Sequence, residues 1–283
     1  MLGVIGGTGL YDLPDLVDVR QQEIDTPWGM PSAPVVTGRL GDGEEVAFLA
    51  RHGIGHRFNP SEVPYRANIA AMKLLGVTHI LAVNAVGSLN IAMPPRSAVV
   101  PDQIIDRTAG FRERTFFEGG VVAHVGLADP YCQHMRTRIL HHAHDAQTLV
   151  EDGGTYICIE GPQFSTRAES NLYRQFGADI IGMTAMPEAR LAREAGLCYG
   201  TLAMVTDFDV WHEEEEDVTL ETIQRVLAEN VETARNVVRG LAGETHPDCD
   251  CAAGTTSAVM THDIPTDLVN RVELITRKPG KLR

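Results

Sequence analysis

Three absences bound this chain of 283 residues before any motif is read. No apolar run approaches the ~18 residues of a membrane-spanning helix, which argues against a helical membrane protein. Positive charge is scarce: 24 Lys and Arg against 38 Asp and Glu leave a formal net charge of −14. No basic stripe is available to displace counterions from a nucleic-acid backbone, so neither nucleic acid nor a membrane is expected as a partner. Lysine is nearly missing, standing only at Lys73, Lys278 and Lys281. Arginine supplies the rest, a bias that GC-rich genomes and salt-adapted proteomes share. Met1 leads straight into an apolar segment without the basic flank of a secretory leader, and the expected compartment is the cytoplasm.

Cysteine is sparse too. The five thiols, Cys132, Cys158, Cys198, Cys249 and Cys251, are odd in number and scattered, which favours reduced thiols over a disulfide framework. Cys158 and Cys198 lie in apolar runs and are expected in the core. Cys249-Asp250-Cys251 falls in a polar stretch. A tight C-x-C could oxidise or give two metal thiolates, yet no second Cys/His pair with zinc spacing accompanies it. The expectation is two exposed thiols and no metal site.

What the chain does have is alternation. Apolar, strand-like runs occur at 2–5, 35–36, 45–50, 80–83, 98–100, 156–159, 180–183 and 202–205. Helical patterns occur at 63–75, 131–143, 166–176, 187–195 and 220–241, the last with Ile223, Val226, Leu227 and Val231 at helical spacing. Strands separated by crossover helices imply an α/β fold, a twisted mixed sheet flanked by helices on both faces. Neither a repeat nor a long linker marks a second domain. Residues 1–242 are expected to form one domain and 243–283 a polar tail or subunit arm, with the acidic run at 213–217 a solvated loop.

Open α/β sheets bind ligands outside the carboxyl ends of their strands. After the first strand comes Gly6-Gly7-Thr8-Gly9, whose amides can form an anion nest beside the Thr8 hydroxyl; a plain glycine turn has the same composition. Arg51-His52-Gly53 follows the strand at 45–50. Its guanidinium suits bidentate phosphate contact, and a core-edge salt bridge is the competing reading at similar weight. Asn84-Ala85-Val86-Gly87-Ser88 reads as a small-residue loop, and Met183-Thr184 offers another hydroxyl. Convergence of Thr8, Arg51, His52, Asn84 and Thr184 would make a dianion site without a metal.

The run Thr206-Asp207-Phe208-Asp209 sends two carboxylates from the end of a buried strand with one residue between them. Residues two apart share a face in a strand, so Asp207 and Asp209 could meet one ligand together unless the chain turns between them. One carboxylic acid can protonate a heterocyclic ring nitrogen while its partner accepts from an exocyclic amine, which adenine offers and hypoxanthine does not. Capping of the next turn is the competing role for such aspartates.

These residues carry a resemblance that runs from Gly3 through the helix after Leu220. Ile5-Gly6-Gly7-Thr8-Gly9-Leu10-Tyr11, Arg51-His52-Gly53, Tyr65-Arg66-Ala67-Asn68, Ala85-Val86-Gly87-Ser88-Leu89, the stretch from Glu160-Gly161-Pro162 to Glu169-Ser170, Gly182-Met183-Thr184 with Pro187-Glu188, and Thr206-Asp207-Phe208-Asp209 occur in order. The chain resembles the trimeric purine nucleoside phosphorylases, and within them most closely the branch that cleaves 5′-methylthioadenosine. The resemblance implies a single-domain phosphorylase/hydrolase-like fold and a homotrimer with active sites shared between subunits. It also implies phosphorolysis to adenine and 5-methylthioribose 1-phosphate, with inorganic phosphate as co-substrate and no cofactor.

Carried over by position, phosphate would be held by Thr8, Arg51, His52, the Asn84-Ala85 backbone and Thr184. The ribose would lie over Met183, and the base would pack against Phe164 near Ser165, facing Thr206, Asp207 and Asp209. Asp207 would protonate N7 as the base leaves, one of the two aspartates being protonated in the working complex. Leu220 and Ile223, with His124 of the partner subunit, would form the apolar 5′ pocket. Two positions depart from the family pattern: Gln163 replaces a frequent arginine, and Asn84 replaces the Thr or Ser usual in methylthioadenosine-specific relatives. Other 5′-substituted adenosines and 6-oxopurine nucleosides are alternative substrates. A non-catalytic nucleoside-binding trimer and a hydrolytic nucleosidase are the readings from other classes.

Overall fold

The computed structural model describes residues 1–7, 10, 13–41, 43, 45–212, 220–244, 249–252 and 255–278. Within them, eleven strands join in one mixed sheet. They are β1 (Leu2–Gly6), β2 (Leu16–Gln22), β3 (Val35–Leu40), β4 (Glu45–Ala50), β5 (His79–Ser88), β6 (Ala98–Val100), β7 (Gln103–Arg107), β8 (Val150–Asp152), β9 (Thr155–Ile159), β10 (Ile180–Gly182) and β11 (Cys198–Asp207). The helices are α1 (Tyr65–Leu74), α2 (Gln133–Asp145), α3 (Arg167–Gln175), α4 (Ala185–Glu194), α5 (Leu220–Ala242) and α6 (Val269–Thr276).

Strand side chains alternate between two cores, as a period of two requires. Ile5, Leu49, Ile80, Ala82 and Val205 pack on one face with Ile69 and Met72 of α1 and Leu191 of α4. Leu2, Val4, Phe48, Leu81 and Met204 pack on the other with Met135 and Ile139 of α2 and Val238 and Leu241 of α5. Burial on both faces is why the central strands read as unbroken apolar runs. Helix α3 starts where a capping box allows: the Thr166 side chain accepts from the Glu169 N–H, and Glu169 accepts from the Thr166 N–H.

The register decides where function can sit. Strands β4, β1, β5 and β11 run parallel, with Gly6 opposite Ala50, Ile5 opposite Ala82 and Val205 opposite Val86. Their carboxyl ends therefore open on one edge of the sheet. There β5 continues past Val83, pairing Asn84 with Ala203 of β11 and Gly87 with Ile181 of antiparallel β10. The stretch expected as a small-residue loop at 84–88 is thus strand, because partners on both sides satisfy its backbone.

The C-terminal part is more integrated than a polar tail. Residue Val259 bridges to Ala123. Val272 and Ile275 of α6 enter the core beside α1, and buried Lys73 donates to the carbonyl oxygens of Ala195 and Ile275. Cys249 and Cys251, expected as exposed thiols, are half-buried against the second core, with Asp250–Ala252 forming a short 3-10 turn. Among the described residues, no helix is long and apolar enough to cross a membrane.

Candidate active site

The structure shows the capping role for Asp207, and a turn rather than strand alternation brings Asp209 beside it. Strand β11 ends at Asp207, and Asp209 adopts a left-handed φ of 51°. That turn sends the Asp209 N–H back to Asp207 Oδ1 at 2.8 Å. The Thr206 hydroxyl donates to Asp207 Oδ2 at 2.6 Å, with the Val86 carbonyl oxygen at 3.2 Å. Gly87 on β5 makes room for the pair: a Cβ there would lie 2.9 Å from Asp207 Oδ1 and 3.4 Å from Asp209 Cβ. Asp209 is buried, and that burial pushes its carboxyl up to about 6, with the like charge of Asp207 adding to the effect. The Ser170 hydroxyl pulls the other way, approaching without closing a hydrogen bond of good geometry.

Beside the carboxyls, Asn84 Nδ2 donates to Thr184 Oγ1 at 2.6 Å. Both side chains are buried, so the pair joins β5 to the junction between β10 and α4. Asn84 Oδ1 has no protein partner among the described residues, and neither do Ser165 Oγ and Asp209 Oδ2. Such atoms are a minority in folded chains, and Asn84 and Asp209 bring two of the described ones to the rim at the carboxyl ends of β5 and β11. Ala85, between Asn84 and the rest of β5, is exposed on that rim.

Arg51 follows β4 as expected but is engaged differently. Its Nε and Nη2 donate to Glu188 at 2.7 and 2.9 Å, Nη2 also to the Ile5 carbonyl oxygen at 3.2 Å, and Nη1 to that of Val83 at 3.0 Å. Burial works against the cation, and Glu188 more than compensates, holding Arg51 charged. Four of its N–H donors are thus used within the chain. A phosphate could draw on one Nη1 donor, not on the whole fork. Of the two roles open from the sequence, the structure shows the buried ion pair. His52 Nδ1 donates to the Phe58 carbonyl oxygen at 2.9 Å, which leaves Nε2 as the acceptor of the neutral ring. Burial lowers this imidazole to about 4, assisted by the neighbouring Arg51 cation, so it is neutral at physiological pH.

The side of the crevice that carries Phe164 and Ser165 is set by residues that the sequence reading did not single out. Buried Arg112 donates to the carbonyl oxygens of Met183 (2.7 Å), Met186 (2.6 Å) and Glu160 (2.6 Å), and its Nε donates to the Glu160 carboxylate at 3.0 Å. It fastens the loop carrying Phe164 and Ser165 to Met183, beside which Gly161 takes a left-handed φ of 64° that favours glycine. Phe164 stands exposed on this loop. Arg167, at the start of α3, donates to the Val210 carbonyl oxygen, tying α3 to the turn after Asp209. In that turn Phe208 stacks on His212 at 4.9 Å, and Trp211 donates to the Ser88 carbonyl oxygen at 2.7 Å beneath the Arg174 guanidinium. Arg112 sits in a polar run and gives no sequence signal of its own. Trp211, just past the aspartates and the first large ring after them, could have been picked out.

The remaining candidates divide. Met183, Thr184, Asn84, Thr206, Asp207 and Asp209 lie on one edge of the sheet. His124 does not join them. It is exposed on the outer surface, lining a depression with Phe117, Val122 and Arg193, its N–H donated to the Ala258 carbonyl oxygen at 2.9 Å. Thr8 and the acidic run at 213–217 lie outside the described residues, as do the side chains of Leu220 and Ile223 on α5.

Known proteins resemble this chain over most of its length. The sequence profile of the phosphorylase superfamily matches residues 1–242. The chain is 49% identical over 279 residues to an S-methyl-5′-thioadenosine phosphorylase of Geobacter sulfurreducens, covering 97% of each chain. It is 46% identical to a methylthioadenosine phosphorylase from an antarctic soil metagenomic library, whose crystal structure superposes with a TM-score of 0.92 over 97% of this chain and 98% of that one. A mutant of adenosine/methylthioadenosine phosphorylase from Schistosoma mansoni, solved in complex with methylthioadenosine, is 36% identical with a TM-score of 0.82, covering 92% of this chain and 98% of that one.

Proposed function

The chain belongs to the phosphorylase superfamily, and on that basis we propose that it catalyses phosphorolysis of 5′-methylthioadenosine to adenine and 5-methylthioribose 1-phosphate. The observation that carries this reading is the carboxyl pair Asp207/Asp209, closed by a turn against Gly87 and set beside the Asn84–Thr184 pair.

The reaction breaks the C1′–N9 bond and forms a bond from C1′ to a phosphate oxygen. As the first lengthens, the sugar becomes oxocarbenium-like and the base gathers negative charge. Protonation at N7 relieves that charge, and the phosphate dianion stabilises the cation before capturing it. The charge of Asp207 raises Asp209, so the two together favour holding one proton. Asp209, pushed up to about 6 by burial, keeps that proton available near neutrality. When the adenine amine donates to Asp209, the proton is best placed on Asp207, facing N7. A 6-oxopurine, with no amine at that position, gains nothing from a second carboxylate.

Phosphate is proposed to bind Thr8, the Asn84-Ala85 segment, the Thr184 hydroxyl, His52 and one Nη1 donor of Arg51. The Thr184 oxygen already accepts from Asn84, so its own proton is the one to offer an anion. Neutral His52 accepts at Nε2 from the protonated oxygen of hydrogen phosphate. The ribose lies over Met183 and the base against Phe164 and Ser165, whose orphan hydroxyl gains a partner. Phosphate is a co-substrate, and the chemistry needs no cofactor.

The enzyme is proposed to work as a cytoplasmic homotrimer. Exposure of His124 outside its own crevice supports a role in a neighbour's 5′ pocket, completed there by Leu220 and Ile223. A thioether gains from such an apolar pocket where a hydroxyl would need a polar partner. Adenine release from 5′-methylthioadenosine, adenosine and inosine, each with and without phosphate, tests the reading. Strict phosphate dependence and fastest turnover of the methylthio substrate are expected. Preference for inosine would overturn the assignment of the aspartates, and turnover without phosphate would make the protein a hydrolase.

A further inference from the structure

Four of the five cysteines converge on one point, far from the chemistry. Cys132 immediately precedes α2, Cys198 opens β11, and Cys249 and Cys251 flank the short turn in the C-terminal segment. All four sulfurs lie within 4.8 Å of one another. Cys249 Sγ is 3.6 Å from Cys132 Sγ and 3.2 Å from Cys251 Sγ. Cys132 and Cys198 are buried, and the Cys132 N–H donates to the carbonyl oxygen of Tyr199 at 2.8 Å, which holds these two segments together. The other two are half-buried and cover them from outside.

Burial alone does not demand this. Cys158, the fifth cysteine, is equally buried and has no thiol neighbour in the group. A tetrahedral tetrathiolate zinc site has Zn–S bonds of about 2.3 Å, which sets the sulfur–sulfur edges near 3.8 Å. The Cys249–Cys132 and Cys249–Cys251 separations need to open by no more than about 0.6 Å to reach that edge. Two isolated disulfides would instead divide the sulfurs into separate bonded pairs. Here each of the four is near all the others.

The geometry points to a structural metal site, in which Cys132, Cys198, Cys249 and Cys251 bind one thiophilic divalent ion, zinc, as four thiolates. On binding, the four thiols release their protons to solvent and no electron is transferred. With four protein ligands the site is closed, so it is structural rather than catalytic. Its effect is to fasten the C-terminal segment onto the starts of α2 and β11. Beyond the clasp, that segment carries the Val259 bridge and α6. Cys198 and Asp207 stand at opposite ends of β11, nine residues apart, which at about 3.3 Å per residue separates the clasp from the carboxyl pair by roughly 30 Å.

The spacing hides this site from a sequence search. Only one C-x-C is local, and its partners come from a helix start and a strand start 117 and 51 residues before Cys249, of which Cys198 lies in a run read as core.

The test uses the full chain without an affinity tag, purified under reducing conditions, with metal measured by mass spectrometry and thiols by colorimetric titration. Stoichiometric zinc is expected, with the four thiols shielded until a chelator and denaturant are added together, and with no hydrogen lost to disulfides in the intact mass. Cys251→Ser and the double variant Cys249→Ser/Cys251→Ser leave the buried pair in place. Both should lose stoichiometric zinc and melt several degrees lower, while kcat for adenine release stays within about twofold of the parent. Replacement of zinc by cobalt should give the visible bands of a tetrahedral tetrathiolate. Stoichiometric iron in place of zinc would support the site and change only its ion. Reduced protein that takes up no zinc on titration, zinc retained in the double variant, or peptide mapping that finds two disulfides under the same reducing purification would each overturn the assignment.

Discussion

Asp209→Asn should make the protein more stable at neutral pH while crippling it. Asp209 has an ordinary carboxyl value of 3.8 and is pushed up to about 6 in the fold, chiefly by burial. Below about pH 4 the folded and unfolded chains both hold its proton, and the group costs nothing. Between about 4 and 6 the fold keeps a proton that the unfolded chain releases, so stability falls as pH rises. Above that window the cost is complete, about 3 kcal/mol at 1.36 kcal/mol per pH unit. The asparagine isostere carries no charge at any of these values. Relative to the parent, the variant should therefore be level at pH 4 and more stable by about 3 kcal/mol at pH 7, or roughly 6 °C or more in melting temperature. Its kcat/KM for adenine nucleosides should drop about tenfold or more, the cost of losing the charged acceptor for the adenine amine. Thermal melts of both proteins across this pH range, beside initial rates at pH 7, measure both effects. A variant that is less stable at pH 7, or whose advantage is flat with pH, would refute the argument from burial.

Glu188→Leu removes the partner of a buried cation that also binds two backbone carbonyls, and should cost about 3–5 kcal/mol. Denaturant melts check this, and Arg51→Leu/Glu188→Leu should recover part of the loss, since no unpaired charge remains. Gly87→Ala places a methyl 2.9 Å from Asp207 Oδ1 and 3.1 Å from Ile181, so the carboxyl must move. A stability change of about 1–3 kcal/mol is expected together with a loss of kcat/KM of tenfold or more, read from melts and initial rates. Unchanged kinetics would mean that Asp207 does not contact the base.

The central architecture was legible because its strands are buried on both faces. Runs such as Leu2-Gly3-Val4-Ile5 and the segment at 45–50 admit little else, and the helices between them carry apolar positions at helical spacing. The strands that escaped notice are those that burial does not mark. Most of β2 is exposed, β7 is half-exposed, and β8 has only three residues. Residues 84–88 look like a loop by composition and become strand only through β10 and β11, partners that no local pattern announces.

Legibility at the site followed the same division. Asp207 and Asp209 declared themselves by position, whereas their juxtaposition depends on a left-handed turn. Arg51 was visible as a cation at a strand end, but the carboxylate that claims it lies 137 residues away. Arg112 and the four-cysteine cluster depend wholly on tertiary contact.

The account turns on phosphate being the nucleophile at C1′. Phosphorus NMR of the protein with 5′-methylthioadenosine and inorganic phosphate follows that atom directly. A sugar 1-phosphate resonance should grow in step with adenine release while the inorganic phosphate signal declines, and no adenine should appear when phosphate is left out. Adenine released with the inorganic phosphate signal undiminished would contradict the account, because water would then be the nucleophile.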